Sequence, residues 1–190
     1  MTLEHTSSTH PLLPPTTEDQ RFDWLRLLRS RRVGISTFYR LMRDHGSAAA
    51  ALENLPDIAS AAGVENYQIC PEAVIHAELS TARSANATLI CRGDPAYPAR
   101  LAELDDAPPM IWLIGCTDIL SKPQIALVGA RNASSLGGRM ARALASGLGD
   151  AGFVVTSGMV RGIDTAAHLA ALNTGTIAVL GGGVDVFYPA

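Results

Sequence analysis

Apolar residues recur at helical spacing early in the chain: Phe22, Leu25 and Leu28, then Phe38, Leu41 and Met42. Thr17 followed by Glu18 and Asp19 reads as a helix start. The run Val33-Gly34-Ile35-Ser36 reads as a turn, with Ser36 capping the next helix. Gly46 stops that helix, and Ser47 caps an alanine-rich one. Asn54-Leu55-Pro56 is expected to break the chain again, and a last helix is expected from about Pro71 to Ala85. Residues 18–86 are therefore expected to form a small all-helical domain. Residues 1–17, rich in Thr, Ser, Pro and His and without a hydrophobic period, are expected to be a disordered tail.

After this the period changes. Thr88–Cys91 and Met110–Ile114 are short strand candidates, separated by breakers at Gly93-Asp94-Pro95, Tyr97-Pro98 and Pro108-Pro109. Ile125–Val128, Phe153–Val155 and Thr176–Leu180 are buried-strand runs. Between them, Leu136, Met140, Leu144 and Leu148 mark an amphipathic helix that Gly149 and Gly152 end. Asp164–Asn173 is a second helix, with alanines at 166, 167, 170 and 171. Strands alternating with helices of this length predict a parallel βαβαβ sheet over 87–190, a Rossmann-like α/β fold in three layers. The sheet is expected to be incomplete at its C-terminal side, and the chain to be part of a longer protein.

Composition narrows the chemistry. The 190 residues carry a formal net charge of −3, so no global field draws the chain to a polyanion, and any nucleic-acid site must be local. Of the 15 Lys and Arg residues, those at 21, 26, 29, 31, 32, 40 and 43 fall in one short stretch. That stretch reads either as a solvated face or as a helix–turn–helix touching DNA backbone around Gly34. Cys70, Cys91 and Cys116 share no CxxC spacing and read as reduced cysteines of a cytoplasmic protein, forming neither a disulfide frame nor a metal site. No apolar run approaches the roughly 18 residues that a membrane span needs.

In an open parallel sheet, ligands bind beyond the carboxyl ends of the strands. Three glycine-bearing loops leave those ends here: Gly129-Ala130-Arg131-Asn132-Ala133-Ser134, the run Ser157-Gly158-Met159-Val160-Arg161-Gly162-Ile163-Asp164, and Gly181-Gly182-Gly183-Val184-Asp185. Two of them open helices, whose first N–H groups favour anions. A phosphate-bearing ligand follows. A dinucleotide site is disfavoured, because Arg131 stands where the second glycine of GxGxxG is needed and no acidic residue ends the second strand. GxxxxGK[ST] is absent as well, so no cofactor is expected. The candidate nucleic-acid contacts are Gly129, Ala130, Arg131, Ser134, Ser157, Gly158, Arg161, Gly162, Gly181 and Gly182.

The ordered series Ala126–Arg131, Ser157–Asp164, Ala167-His168, Thr176–Gly181 and Tyr188-Pro189 resembles the DNA-processing protein A (DprA/Smf) family. Gly93–Leu101 with Pro108-Pro109 is similar to that family's entry into its extended Rossmann fold, and the helices from Phe22 resemble its sterile-alpha-motif-like (SAM-like) N-terminal domain. The resemblance implies binding of single-stranded DNA without cleavage, loading of the RecA recombinase, a role in transformation and recombination, and a homodimer in the full-length protein. It also implies that Arg131 belongs to a basic DNA pocket. Ala130 stands where the family usually has serine or threonine.

Other readings remain beside these. Arg131 could tie its loop to a carboxylate, and Arg161 could brace Asp164 or Asp185. Asp164 and His168, four apart, read as orienting a loop more readily than as a catalytic pair. Ser157 is not the nucleophile of a GxSxG elbow. The competing class is a nucleotide-processing enzyme of the lysine-decarboxylase-like phosphoribohydrolase type. Gly181–Asp185 lacks the threonine and glutamate of that type's PGGxGTxxE signature.

Overall fold

The computed structural model describes residues 13–184 and Val186. Most of the expected tail, together with Asp185 and the Tyr188-Pro189 pair, lies outside the described residues. The chain divides into two compact units, Met1–Ile111 and Trp112–Ala190.

The first unit holds α1 (Glu18–Arg29), α2 (Ile35–His45), α3 (Ala48–Ala61), α4 (Glu72–Ser84) and a short α5 (Ala99–Ala102). Strand β1 (Thr88–Cys91) pairs with β2 (Met110–Leu113), where the unit ends. Thr17 begins α1 with a reciprocal cap: its hydroxyl accepts the Gln20 N–H, and the Gln20 side chain accepts the Thr17 N–H. Leu13–Thr17, placed in the tail by sequence, follow a defined course, with Pro15 buried. The core is aromatic and branched. Trp24 meets Phe38 edge-on at 5.1 Å, and Leu27, Leu41, Met42, Leu52 and Leu55 close around them.

Two local expectations are corrected. Ser36 caps nothing. The helix starts two residues earlier, directly after Gly34, and Arg32, with a left-handed φ of 64°, completes the reversal before it. Pro56 does not break α3, which runs through it. Proline forfeits one helix bond, but Ala51, Leu52, Leu55 and Ala59 are buried on both sides of it and hold the helix on the core.

Three arginines of the basic stretch serve the fold. Arg21 places two nitrogens on the two Asp94 oxygens, each at 2.9 Å. Arg26 reaches the Cys70 carbonyl and Glu72, and Arg29 forks onto Glu78. Burial alone would raise the Asp94 carboxyl, but the Arg21 guanidinium and the Cys91 N–H outweigh it and hold it below its usual value. Burial also pushes the neighbouring Cys91 thiol up to about 11, against the pull of Arg21. A depressed carboxyl contributes stability that is full above the unfolded value of roughly 4 and disappears as pH falls through the folded value. The urea midpoint is therefore expected to fall with acid below roughly pH 4. Asp94→Asn is expected to lower the neutral midpoint and flatten that limb. An unchanged acid limb in the variant would count against the ion pair as its source.

The second unit has a 3₁₀ turn (Asp118–Ser121), β3 (Gln124–Ala126), α6 (Ser135–Asp150), β4 (Val154–Ser157), α7 (Ile163–Ala171) and β5 (Thr176–Ala178). The strands are parallel in the order β3-β4-β5, with Ile125, Val155 and Thr176 in register. Both helices pack on one sheet face, where Ala145, Ala167 and Ala171 meet Val155 and Leu127. On the other face Val154 lies beside Ile119 of the 3₁₀ turn, around Gly175.

The alanine face of α7 is used as expected, but α6 differs. Its buried face is Ala141 and Ala145, while Leu136, Met140 and Leu144 are exposed. Small residues win because α6 presses directly onto α7 and onto Thr174 just after it. Gly149 does not end the helix. It lies inside α6 against the Thr174 side chain, where a Cβ would overlap the Thr174 hydroxyl. Gly152, at φ 87°, makes the turn that follows. No helix of the described residues is long and apolar enough to cross a membrane.

Candidate nucleic-acid interface

The first two loops meet at the carboxyl end of the sheet. Gly162 is the point of contact. It has φ 94° and ψ −123°, and a Cβ there would fall on the Ala130 carbonyl oxygen and 2.5 Å from that of Arg131. Only glycine combines this backbone with this approach. One residue on, the Ile163 N–H donates to the Ala130 carbonyl at 3.2 Å. The Ile163 side chain fills the space under the first loop, 2.7 Å from where a Gly129 Cβ would stand and 3.5 Å from a Gly137 Cβ. Two glycines of one loop–helix segment are thus fitted around an isoleucine of the next. Sequence reasoning passed over Ile163. Its signal was a large apolar residue inside a glycine-bearing polar loop.

β4 is the middle strand, so the second loop leaves the sheet between the other two. The Val179 N–H donates to the Ser157 carbonyl at 2.8 Å, continuing the ladder to the point where the third loop departs. Gly181 and Gly182 are exposed, and Cβ atoms on them would meet nothing within 4 Å.

Arg131 and Arg161 are both exposed, and neither side chain makes a hydrogen bond or ion pair among the described residues. Arg161 accordingly does not brace Asp164. The buried Asp164 has its Oδ1 atom without a partner among those residues. Other candidates are committed within the fold. Ser134 caps α6 by accepting the Gly137 N–H at 3.1 Å. Ser157 is buried and donates to the Leu127 carbonyl. His168 lies between Thr176 Oγ1, 2.7 Å from Nδ1, and the Gly158 carbonyl, 2.6 Å from Nε2. A carbonyl can only accept, so Nε2 carries a proton and donates it there. His168 therefore ties the second loop to β5. Of the helix-start N–H groups expected to face an anion, those of Gly137 and Ile163 are already taken.

The rim thus offers two uncommitted guanidiniums on backbone that glycine packing holds in place. No group of three His, Cys, Asp or Glu side chains is arranged to hold a metal among the described residues.

A family model described as DNA recombination-mediator protein A matches residues 88–190, and one described as DprA-like N-terminal HHH domain matches residues 18–81. Over 98 residues the chain is 46% identical to DNA processing protein DprA of Streptococcus pneumoniae, covering 50% of this chain and 34% of that protein. It is 36% identical over 110 residues to Protein Smf of Synechocystis, covering 55% of this chain and 28% of that one. It is 36% identical over 121 residues to Protein Smf of Escherichia coli, covering 63% and 32%. The chain thus spans between 28% and 34% of the length of these curated relatives. The X-ray structure of DNA processing protein A from Streptococcus pneumoniae aligns with a TM-score of 0.52 at 29% identity. It covers 83% of this chain and 61% of that chain.

Proposed function

The chain belongs to the DNA recombination-mediator protein A (DprA/Smf) family, and from that premise we propose that it binds single-stranded DNA at the carboxyl rim of β3, β4 and β5 and delivers it to the RecA recombinase without chemical turnover. The observation that carries this reading is the junction of Gly162 with Ala130 and Arg131, beside which Arg131 and Arg161 stand exposed and without side-chain partners among the described residues. Planar guanidiniums suit phosphate oxygens, and an open rim suits an extended polymer better than a buried small ligand. Ser157 and His168 give their protons to backbone carbonyls, which supports binding over turnover. A homodimer acting in the cytoplasm is part of the same proposal for the full-length protein.

Arg131→Ala tests it. The Arg131 side chain makes no hydrogen bond or ion pair among the described residues, so the variant is expected to melt like the parent. Its affinity for a labelled oligothymidylate is expected to fall about tenfold at ~0.1 M salt, with the log–log salt slope reduced by about 0.7. Unchanged affinity at matched salt would remove the rim from consideration. Incubation with nucleoside monophosphates is expected to release no free base. Base release would favour the phosphoribohydrolase reading instead.

A further inference from the structure

The arginines between positions 21 and 43 fall into two classes. Those of α1 (Arg21, Arg26 and Arg29) are held by Asp94, Glu72 and Glu78. Those of the following hairpin and α2 (Arg31, Arg32, Arg40 and Arg43) are exposed, and their side chains make no hydrogen bond or ion pair among the described residues. We propose that Arg31, Arg32, Arg40 and Arg43 form a second nucleic-acid surface, separate from the strand rim, which grips the sugar–phosphate backbone without reading bases.

The hairpin is a fixed platform. Ser30 Oγ donates to the Arg26 carbonyl at 2.9 Å and accepts the Cys70 N–H at 3.1 Å. The Val33 N–H closes onto the Ser30 carbonyl at 3.1 Å, and the Tyr67 hydroxyl donates to the Arg31 carbonyl at 2.5 Å. The backbone beneath Arg31 and Arg32 is therefore pinned from α1 and from the segment between α3 and α4. In α2, burial of Phe38, Leu41 and Met42 leaves Ser36, Arg40 and Arg43 along the outer face at i, i+4 and i+7. At about 1.5 Å per residue this stripe runs roughly 10 Å, long enough to meet more than one phosphate.

Charge and composition select the partner. Asp44 is the one acidic residue between 30 and 47, in a chain whose net charge is −3. The cations are all arginines, the side chain whose fork matches phosphate oxygens. None of the exposed large hydrophobic residues falls in this stretch. A protein partner or a membrane would call for an apolar or aromatic centre. A phosphodiester backbone does not.

Arg32 supplies a clean variant. Its φ of 64° is a conformation that glycine adopts more easily, so Arg32→Gly removes charge while relieving the backbone. In the full chain, Arg32→Gly with Arg40→Gln and Arg43→Gln is expected to melt at or above the parent temperature. Its affinity for a long labelled oligothymidylate is expected to fall about tenfold, with a salt slope lower by about 2. The loss is expected again on an Arg131→Ala background, since the two surfaces act separately. Arg40→Lys with Arg43→Lys, which keeps both charges, is expected to retain most of the binding. Parental affinity and slope in the folded triple variant would overturn the proposal. So would arginine-dependent capture of phosphatidylglycerol vesicles without any effect on oligonucleotide binding.

Discussion

Gly162→Ala is expected to destabilise the second unit by about 3 kcal/mol and to abolish oligonucleotide binding at the rim. An added Cβ would collide with the Ala130 and Arg131 carbonyl oxygens. The backbone at φ 94° would also have to be abandoned for one that alanine tolerates. Either adjustment pulls the second loop off the first, and the Ile163 N–H loses its carbonyl partner. Binding and stability should therefore fail together here, whereas Arg131→Ala separates them. Gly147→Ala is the control, since it lies in α6 outside the three loops, its Cβ would meet nothing and its φ is not left-handed. Denaturant unfolding and fluorescence anisotropy measure both effects. A Gly162→Ala protein with parental stability would mean that the two loops are not locked together as described.

Phe38→Ala is expected to cost about 4 kcal/mol in the first unit. Phe38 is fully buried, meets Trp24 edge-on and also touches Tyr39 at 5.6 Å between ring centroids. Truncation would leave a void at the junction of α1, α2 and α3, too central for surface residues to fill. Trp24 emission should shift to the red, and the denaturant midpoint of that signal should fall. A loss under about 1 kcal/mol would show that the helices can close the void by sliding together.

Much of this architecture was legible in the residues. Thr17 and Ser47 announced their helices because a side-chain oxygen satisfying an early N–H is a local event. The three parallel strands were readable because runs such as Phe153-Val154-Val155 have no polar interruption. What was misread depended on contacts distant in sequence. Pro56 looks like a breaker until Leu52 and Leu55 before it and Ala59 after it are seen buried. The Leu136, Met140 and Leu144 stripe has the spacing of a core face, yet the closeness of α6 to α7, set by Gly149 and Thr174, turns the alanines inward. At the rim, loop chemistry marked Gly162 as a point of close approach, though to a ligand rather than to the Ala130 and Arg131 carbonyls. The commitments of Ser134, Ser157 and His168 were not legible, because each partner is a backbone group that sequence does not mark as special.

The core of the second unit has a consequence for motion. Its largest fully buried side chains are Val154 and Val155, and the rest of its interior is mainly alanine, against Phe38, Leu25, Leu27, Leu41 and Ile75 in the helical unit. Methyl-sized groups remove little apolar surface from water, so each contact there contributes a small share of transfer free energy. The sheet and the helices packed on it accordingly sit at the soft end of the molecule, where transient opening is least costly. Backbone amides of the second unit are therefore expected to exchange with solvent faster than those of the helical unit, which hydrogen-exchange rates would check.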